Sequence, residues 1–180
     1  MIDAEEGLHA QDLSLFHLIE KNMKGVVIVV NKWDLVKEKT SKSTKEYEDF
    51  IRKKTTPFSD VPVIFTSVKD KQRIHKVLEV AVKVYENRKY KIPTSRLNKV
   101  MLPFIENYPP AAVKGKYIKI KYITQLPTPA PQFAFFCNLP QYIQESYKRF
   151  LENKLRENFD LTGVPVNLFF RGKDKESNDS

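Results

Sequence analysis

Asn31, Lys32 and Asp34 stand in the pattern Asn-Lys-x-Asp, directly after the aliphatic run Val26-Val27-Ile28-Val29-Val30. A carboxylate at Asp34 can accept two adjacent N–H donors. Guanine offers such a pair at N1 and at its exocyclic amine; adenine lacks the N1 proton. A site built to accept a donor rejects an analogue without it by about 10⁴-fold. The stem of Lys32 can lie on the face of a base, and Asn31 can tie neighbouring turns together. A second polar turn, Thr66-Ser67-Val68-Lys69, follows the apolar residues 61–65. There the N–H of Val68 is placed to donate to guanine O6. In open α/β sheets, ligands bind just beyond the carboxyl ends of strands, which is where both turns fall. The competing reading, polar turns whose Asn and Asp only cap the backbone, requires two matching turns to coincide.

Such turns need parallel strands to hold them. Residues 26–30 are β-branched throughout and read as a strand covered on both faces. Met1-Ile2 reads as a fragment of a strand, and residues 61–65 as a third, with Pro62 near its start. Between them the spacing predicts helices. Leu15, Phe16 and Ile19 share one face, with Gly25 ending that helix. Tyr47, Phe50 and Ile51 share another behind a Ser43-x-x-Glu46 capping box. Ile74, Val77, Leu78, Ala81 and Tyr85 form a third inward stripe. Alternating strands and helices give right-handed βαβ units and a parallel sheet. Three strands make a poor independent sheet, so the spacing predicts a piece that starts inside a larger domain.

From residue 94 the rhythm changes. Thr94 or Ser95 can cap a helix with Leu97, Val100, Met101, Phe104 and Ile105 inward, stopped by Tyr108-Pro109-Pro110. Residues 116–124 alternate, with Ile118, Ile120 and Tyr122 on one face. Three prolines in 127–131 lead to a strand at 133–137, then to a helix with Ile143, Tyr147, Phe150, Leu151 and Leu155 inward. Gly163 sits in the turn before a last strand, 164–171. The order is αββαβ, an α+β sandwich. The predicted divisions are therefore 1–91 (partial α/β domain), 92–172 (α+β domain) and 173–180, a tail without apolar anchors that reads as disordered.

Composition narrows the rest. Of 180 residues, 41% are apolar and 29% charged, as in a folded globular chain. The longest aliphatic run is far short of the ~20 residues a membrane-spanning helix needs. No secretory leader opens the sequence, and the single cysteine, Cys137, excludes an internal disulfide framework; both predict a cytoplasmic location. The net charge is +9, which suits an acidic partner such as nucleic acid as well as simple solubility. The part after residue 92 carries +5, from 13 basic against 8 acidic residues. No G-x-x-x-x-G-K-[ST] phosphate loop and no D-x-x-G occurs, since Asp3-Ala4-Glu5-Glu6-Gly7 has one residue too many. Nothing in the sequence would hold Mg²⁺ or position an attacking water, so this chain alone is expected not to hydrolyse GTP.

Paired Asn-Lys-x-Asp and Ser-x-Lys turns are the guanine-reading pair of GTP-binding proteins. The sequence resembles the later part of the Der (EngA) family of bacterial GTPases, which carry two tandem G domains followed by a KH-like domain. The stretches that carry this are Asp3-Ala4-Glu5-Glu6-Gly7 with Gln11-Asp12, Asn31-Lys32-Trp33-Asp34-Leu35, Pro93-Thr94-Ser95-Arg96-Leu97-Asn98 and Val113-Lys114-Gly115-Lys116. Ser146-Tyr147-Lys148-Arg149-Phe150-Leu151-Glu152-Asn153, Gly163-x-Pro165 and Phe170-Arg171-Gly172 complete it. The resemblance implies the later half of a G domain joined to a KH-like αββαβ domain. It assigns GTP or GDP binding to Asn31, Lys32, Asp34, Ser67 and Val68, with Mg²⁺ held elsewhere in the parent protein. It implies a GTPase active in assembly of the large ribosomal subunit, with the ribosome or its rRNA and the remaining G domains as partners. Two departures stand out: Val68 replaces the usual alanine, and no G-x-x-G loop, the RNA clamp of KH domains, is present.

Other residues carry weaker signals. Lys114, Lys116, Lys119 and Lys121, interleaved with Tyr117 and Tyr122, could form a basic, stacking surface for RNA; one solvated face of an edge strand gives the same pattern. Arg149, with Lys148, Lys154 and Arg156, could extend it, although Glu152 and Arg156 are spaced to pair locally. Cys137 reads as a buried, inert thiol, and Trp33 as packing beside its turn. An uncovered sheet edge predicts self-association of the piece. The alternative function is a stand-alone RNA- or protein-interaction module with no nucleotide role.

Overall fold

The computed structural model describes residues 1–36, 41–56, 58–113 and 115–172. Two compact units emerge, one of Met1–Lys89 with Leu161–Pro165, the other of the remaining chain.

The first unit runs β1 (Ile2–Asp3), α1 (Ala10–Lys21), β2 (Ile28–Asn31), a 3-10 turn (Trp33–Leu35), α2 (Ser41–Lys54), β3 (Val63–Phe65) and α3 (Ile74–Lys89). The strands lie parallel in the order β1-β2-β3, the sheet read from the sequence. Its register sets Asp3 beside Asn31 and Val30 beside Phe65, so the strands end at one lip. Ile2, Phe16, Ile28, Val30, Ile51, Phe58, Val61 and Phe65 pack into a core beneath it, each large side chain contributing about 1.5–3 kcal/mol.

Several inward faces differ from the pattern. On α1, Phe16 is buried and stacks on Phe58 with ring centroids 5.8 Å apart, while neighbouring Leu15 is exposed. On α2, Ile51 is buried and Phe50 exposed; the helix begins at Ser41, so Ser43 lies inside it and is not its N-cap residue. On α3, Leu78 is 62% and Tyr85 57% exposed, Ala81 is exposed, and Val84 and Asn87 are buried instead. The apolar residues of this helix spread over about half its circumference, and a specific fit decides which part of that arc turns in. A Cβ on Gly25 would lie 2.6 Å from Val84 Cγ1, and one on Gly163 2.5 Å from Val84 Cγ2. Val84 thus fills a slot that only two glycines leave open.

Gly163 marks a departure from the contiguous division expected at 91/92. Residues 161–165 belong to the first unit. The Gly163 N–H donates to Asp60 O (2.8 Å), its carbonyl accepts from Val26 N (2.8 Å), and Asn87 Nδ2 donates to Thr162 O (3.1 Å). Its φ of +75° favours glycine.

The second unit runs α4 (Thr94–Asn107), β4 (Ile120–Gln125), β5 (Gln132–Cys137), a 3-10 turn (Pro140–Tyr142), α5 (Glu145–Asn158) and β6 (Asn167–Arg171), the expected αββαβ order. β4 is antiparallel and β6 parallel to the central β5. Leu97, Met101, Ile123, Phe133, Phe135, Leu151 and Leu155 are fully buried. Asn98 of α4 satisfies the outer edge of β4, its Nδ2 donating to Ile123 O (2.7 Å) and its Oδ1 accepting from Ile123 N (2.8 Å). Pro93, not Thr94 or Ser95, is the N-cap residue of α4; Thr94 Oγ1 instead lies 3.2 Å from Thr124 Oγ1. A bulge between Ile120 and Tyr122 shifts the face of β4. Ile118 and Ile120 are buried as expected, but Tyr122 faces outward and Ile123 inward. The tail 173–180 lies outside the described residues.

Candidate functional site

The lip formed by the carboxyl ends of β1, β2 and β3 gathers the chemistry singled out by spacing. Asn31 is the last residue of β2. Its backbone carbonyl accepts from Ala4 N (2.9 Å), fastening it to the end of β1. Its side-chain Oδ1 accepts from Thr66 Oγ1 (3.2 Å) and from the backbone N–H of Val68 (3.3 Å). One amide oxygen therefore joins the turn after β2 to the turn after β3.

The first turn is held from beneath by Trp33. Its N–H donates to Thr66 O (3.0 Å), and its buried indole packs on Phe65 with ring centroids 4.4 Å apart. This is the packing role read from its place in the motif. Lys32, just before it, adopts a left-handed backbone with φ +62°, a conformation that costs a non-glycine residue about 1 kcal/mol or more. Asp34 follows inside the 3-10 turn, half-buried.

The second turn closes on itself. Ser67 is buried and exchanges backbone hydrogen bonds with Gln72, while its Oγ accepts from Asp70 N (3.0 Å). Val68 stands at its tip, 57% exposed. Its N–H, the donor expected for a base oxygen, donates to Asn31 Oδ1 (3.3 Å). Bulk at position 68 therefore points out of the turn.

The lip also carries an ion pair that motif reading missed. Lys32 Nζ lies 2.6 Å from Asp3 Oδ2. The hydrogen bond from Lys32 is the main cause holding the Asp3 carboxyl below its usual range, and the same contact raises the Lys32 ammonium. Glu5 and Glu6 add smaller attraction toward Lys32. Asp3 ends a strand beside Asn31, the signal that could have identified it. Thr66, which the sequence reading placed at the start of the second turn, is also a direct partner of Asn31.

Tyr47 packs beside Trp33, with centroids 5.9 Å apart, and its buried hydroxyl has no hydrogen-bond partner. Burial pushes that hydroxyl up from its ordinary value, helped by Asp12 and Asp3. Among the described residues, no three His, Cys, Asp or Glu side chains come together as a metal-binding set.

The basic residues of the second unit fall on separate elements. Lys116 closes a turn with Val113 at Gly115, Lys119 precedes β4, Lys121 lies at its bulge, and Arg149 stands on α5; all four are exposed. Lys114 lies outside the described residues. Lys148, Lys154 and Arg156 pair with Glu145, Glu157 and Glu152 on the same helix. Cys137 is buried, and burial raises its thiol. Among the described residues, no helix is long and apolar enough to cross a membrane.

Comparison with known proteins matches both units. Residues 91–171 match the KH-domain-like family of EngA bacterial GTPase enzymes, C-terminal, and residues 1–87 match the elongation factor Tu GTP-binding domain. Over 174 residues the chain is 62% identical to GTPase Der of Bacteroides fragilis and 60% identical to that of Bacteroides thetaiotaomicron, in each case across 96% of this chain and 40% of the relative. It is 59% identical over 173 residues to GTPase Der of Flavobacterium psychrophilum, across 96% of this chain and 39% of the relative. The chain thus spans about two fifths of the length of the curated relatives it matches.

Proposed function

We propose a function from one premise: the chain belongs to the GTPase Der family and carries part of a G domain followed by a KH-like domain. Its first unit recognises the base of a guanine nucleotide. Asp34 accepts the N1 and amine protons, the Lys32 stem covers one face of the base, and the Val68 N–H meets O6. Asn31 locks the two turns at the spacing this needs, and Ser67 closes the second turn. The observation that carries the reading is the bridge from Asn31 Oδ1 to both turns.

The whole protein, on this reading, is a cytoplasmic GTPase that acts in assembly of the large ribosomal subunit. Phosphate and Mg²⁺ contacts come from segments outside these 180 residues. The KH-like unit faces the ribosome, with Lys116, Lys119, Lys121, Arg149 and Lys114 as candidates for rRNA contact. This chain alone then shows negligible GTP turnover and binds GDP more weakly than about millimolar; micromolar affinity in calorimetry contradicts the reading. In cells, a strain whose only full-length copy carries Asp34→Ala should accumulate incomplete large subunits on sucrose gradients. An unchanged subunit profile would remove the ribosomal role.

A further inference from the structure

The Lys32 side chain is half exposed, and a long flexible cation at that position has many rotamers to lose when a base settles on it. Something must select among them. Asp3 is placed to do so, with its Oδ2 2.6 Å from Lys32 Nζ. Asp3 is itself fixed from three directions. It sits in sheet register beside Asn31, the residue immediately before Lys32. Its other carboxylate oxygen, Oδ1, accepts from the Glu5 N–H (3.0 Å). Its backbone carbonyl accepts from the Gly7 N–H (2.9 Å), in a turn that closes through the φ of +81° at Gly7. The carboxylate thus rests on the strand end and on a five-residue turn, not on a mobile loop.

Resting on the base-recognition reading above, we propose that Asp3 is a positioning residue for nucleotide binding. It anchors the Lys32 ammonium so that the lysine stem is already laid out as one wall of the base site before nucleotide arrives. Asp3 touches no nucleotide. Its contribution passes entirely through Lys32, as preorganisation that lowers the ordering cost of binding. The ion pair ties the turn after β1 to the turn after β2, just as Asn31 Oδ1 ties the latter to the turn after β3. All three strand ends then act on one site.

The test uses a full-length chain that contains this segment. Asp34→Asn is introduced first. The new amide can donate to the 2-oxo group of xanthine where the carboxylate accepted from the guanine amine, so xanthosine diphosphate titrates this site. In that background, Asp3→Asn keeps the oxygen that receives the Glu5 N–H but discards the charge that holds Lys32. We expect it to weaken xanthosine diphosphate binding about three- to five-fold, the range of a half-exposed ion pair. In a background that also carries Lys32→Met, the same Asp3→Asn change should do nothing further. Unchanged affinity on Asp3→Asn, or an equal loss with and without the Lys32 ammonium, overturns the inference while the base-recognition reading stands. Failure of Asp34→Asn to acquire xanthosine diphosphate binding overturns that reading, and this inference with it.

Discussion

The two units differ in the aliphatic surface they leave exposed: the large exposed side chains of the KH-like unit are aromatic, such as Tyr108 and Tyr117, whereas the G-domain unit exposes leucines and valines. The KH-like unit closes its core with its own elements: Phe133, Phe135, Leu151 and Leu155 are fully buried, and Asn98 satisfies the backbone of its edge strand at Ile123. The G-domain unit leaves apolar surface open. Leu78, Val82 and Tyr85 line an exposed stripe of α3, Leu15 and Leu18 stand exposed on α1, and an apolar cleft of about 160 Å³ runs beside β1 between Ile2, Phe16 and Ile28. The order at its strand ends is nevertheless high. Hydrogen bonds and the Asp3–Lys32 ion pair bring Asn31, Lys32 and Val68 into register at the strand ends.

The contrast can be broken most forcefully by truncation. Phe135→Ala in the KH-like unit should cost about 3–5 kcal/mol. Leu78→Ala on the open stripe of α3 should cost under about 0.5 kcal/mol. Denaturant unfolding of this 180-residue chain checks both, and equal losses would erase the distinction.

The units should also differ in the pH range that each tolerates. In the KH-like unit, Tyr147 donates to Tyr108 O (2.9 Å), and burial pushes its hydroxyl up to about 12. A raised folded value means that its contribution is complete below the unfolded value of about 10 and is lost as pH climbs from there to about 12. The tyrosinate absorbance of wild type minus that of Tyr147→Phe should show one tyrosine ionising late. In the G-domain unit, Asp3 is depressed and Lys32 raised. Their pairing is complete above the unfolded carboxyl value of about 4 and below the unfolded ammonium value of about 10. It fades on acidification below the first and on alkalinisation through the folded lysine value. NMR titration of the Asp3 carboxyl in wild type and Lys32→Met would follow the acid limb.

Charging the open stripe should also cost little folding energy. Leu78→Lys with Val82→Lys should alter the stability of this chain by no more than about 0.5 kcal/mol per site, yet abolish its self-association in sedimentation. A wild-type chain that sediments as a monomer at high concentration would show that the stripe attracts no second copy.

Much of this was legible in residue order. The β-branched run before Asn31 announced a buried parallel strand, and the polar turns after it and after β3 announced the lip. The αββαβ order followed from periodicity alone. What escaped had physical reasons. Seven of the sixteen residues of α3 are aliphatic or alanine apart from its aromatic Tyr85, so periodicity could not choose its buried face; the slot between Gly25 and Gly163 did. The bulge at Lys121 inserts a residue that a two-residue alternation cannot represent, and it turns Tyr122 outward. Residues 161–165 join the first unit through partners far away in the chain, such as Asp60 and Asn87. Asp3 entered only as a failed D-x-x-G match and a stretch of family resemblance, because its partner, Lys32, lies beyond a whole helix.

The central claim is that Asp34 reads a purine by accepting two of its protons. The most direct measurement is the affinity of a full-length chain for guanosine and xanthosine diphosphates, with Asp34 intact and with Asp34→Asn. The account predicts a change of preference toward xanthosine diphosphate at this site, a swing on the order of 10⁴-fold when both ratios are compared. An unaltered preference for guanosine diphosphate would contradict it.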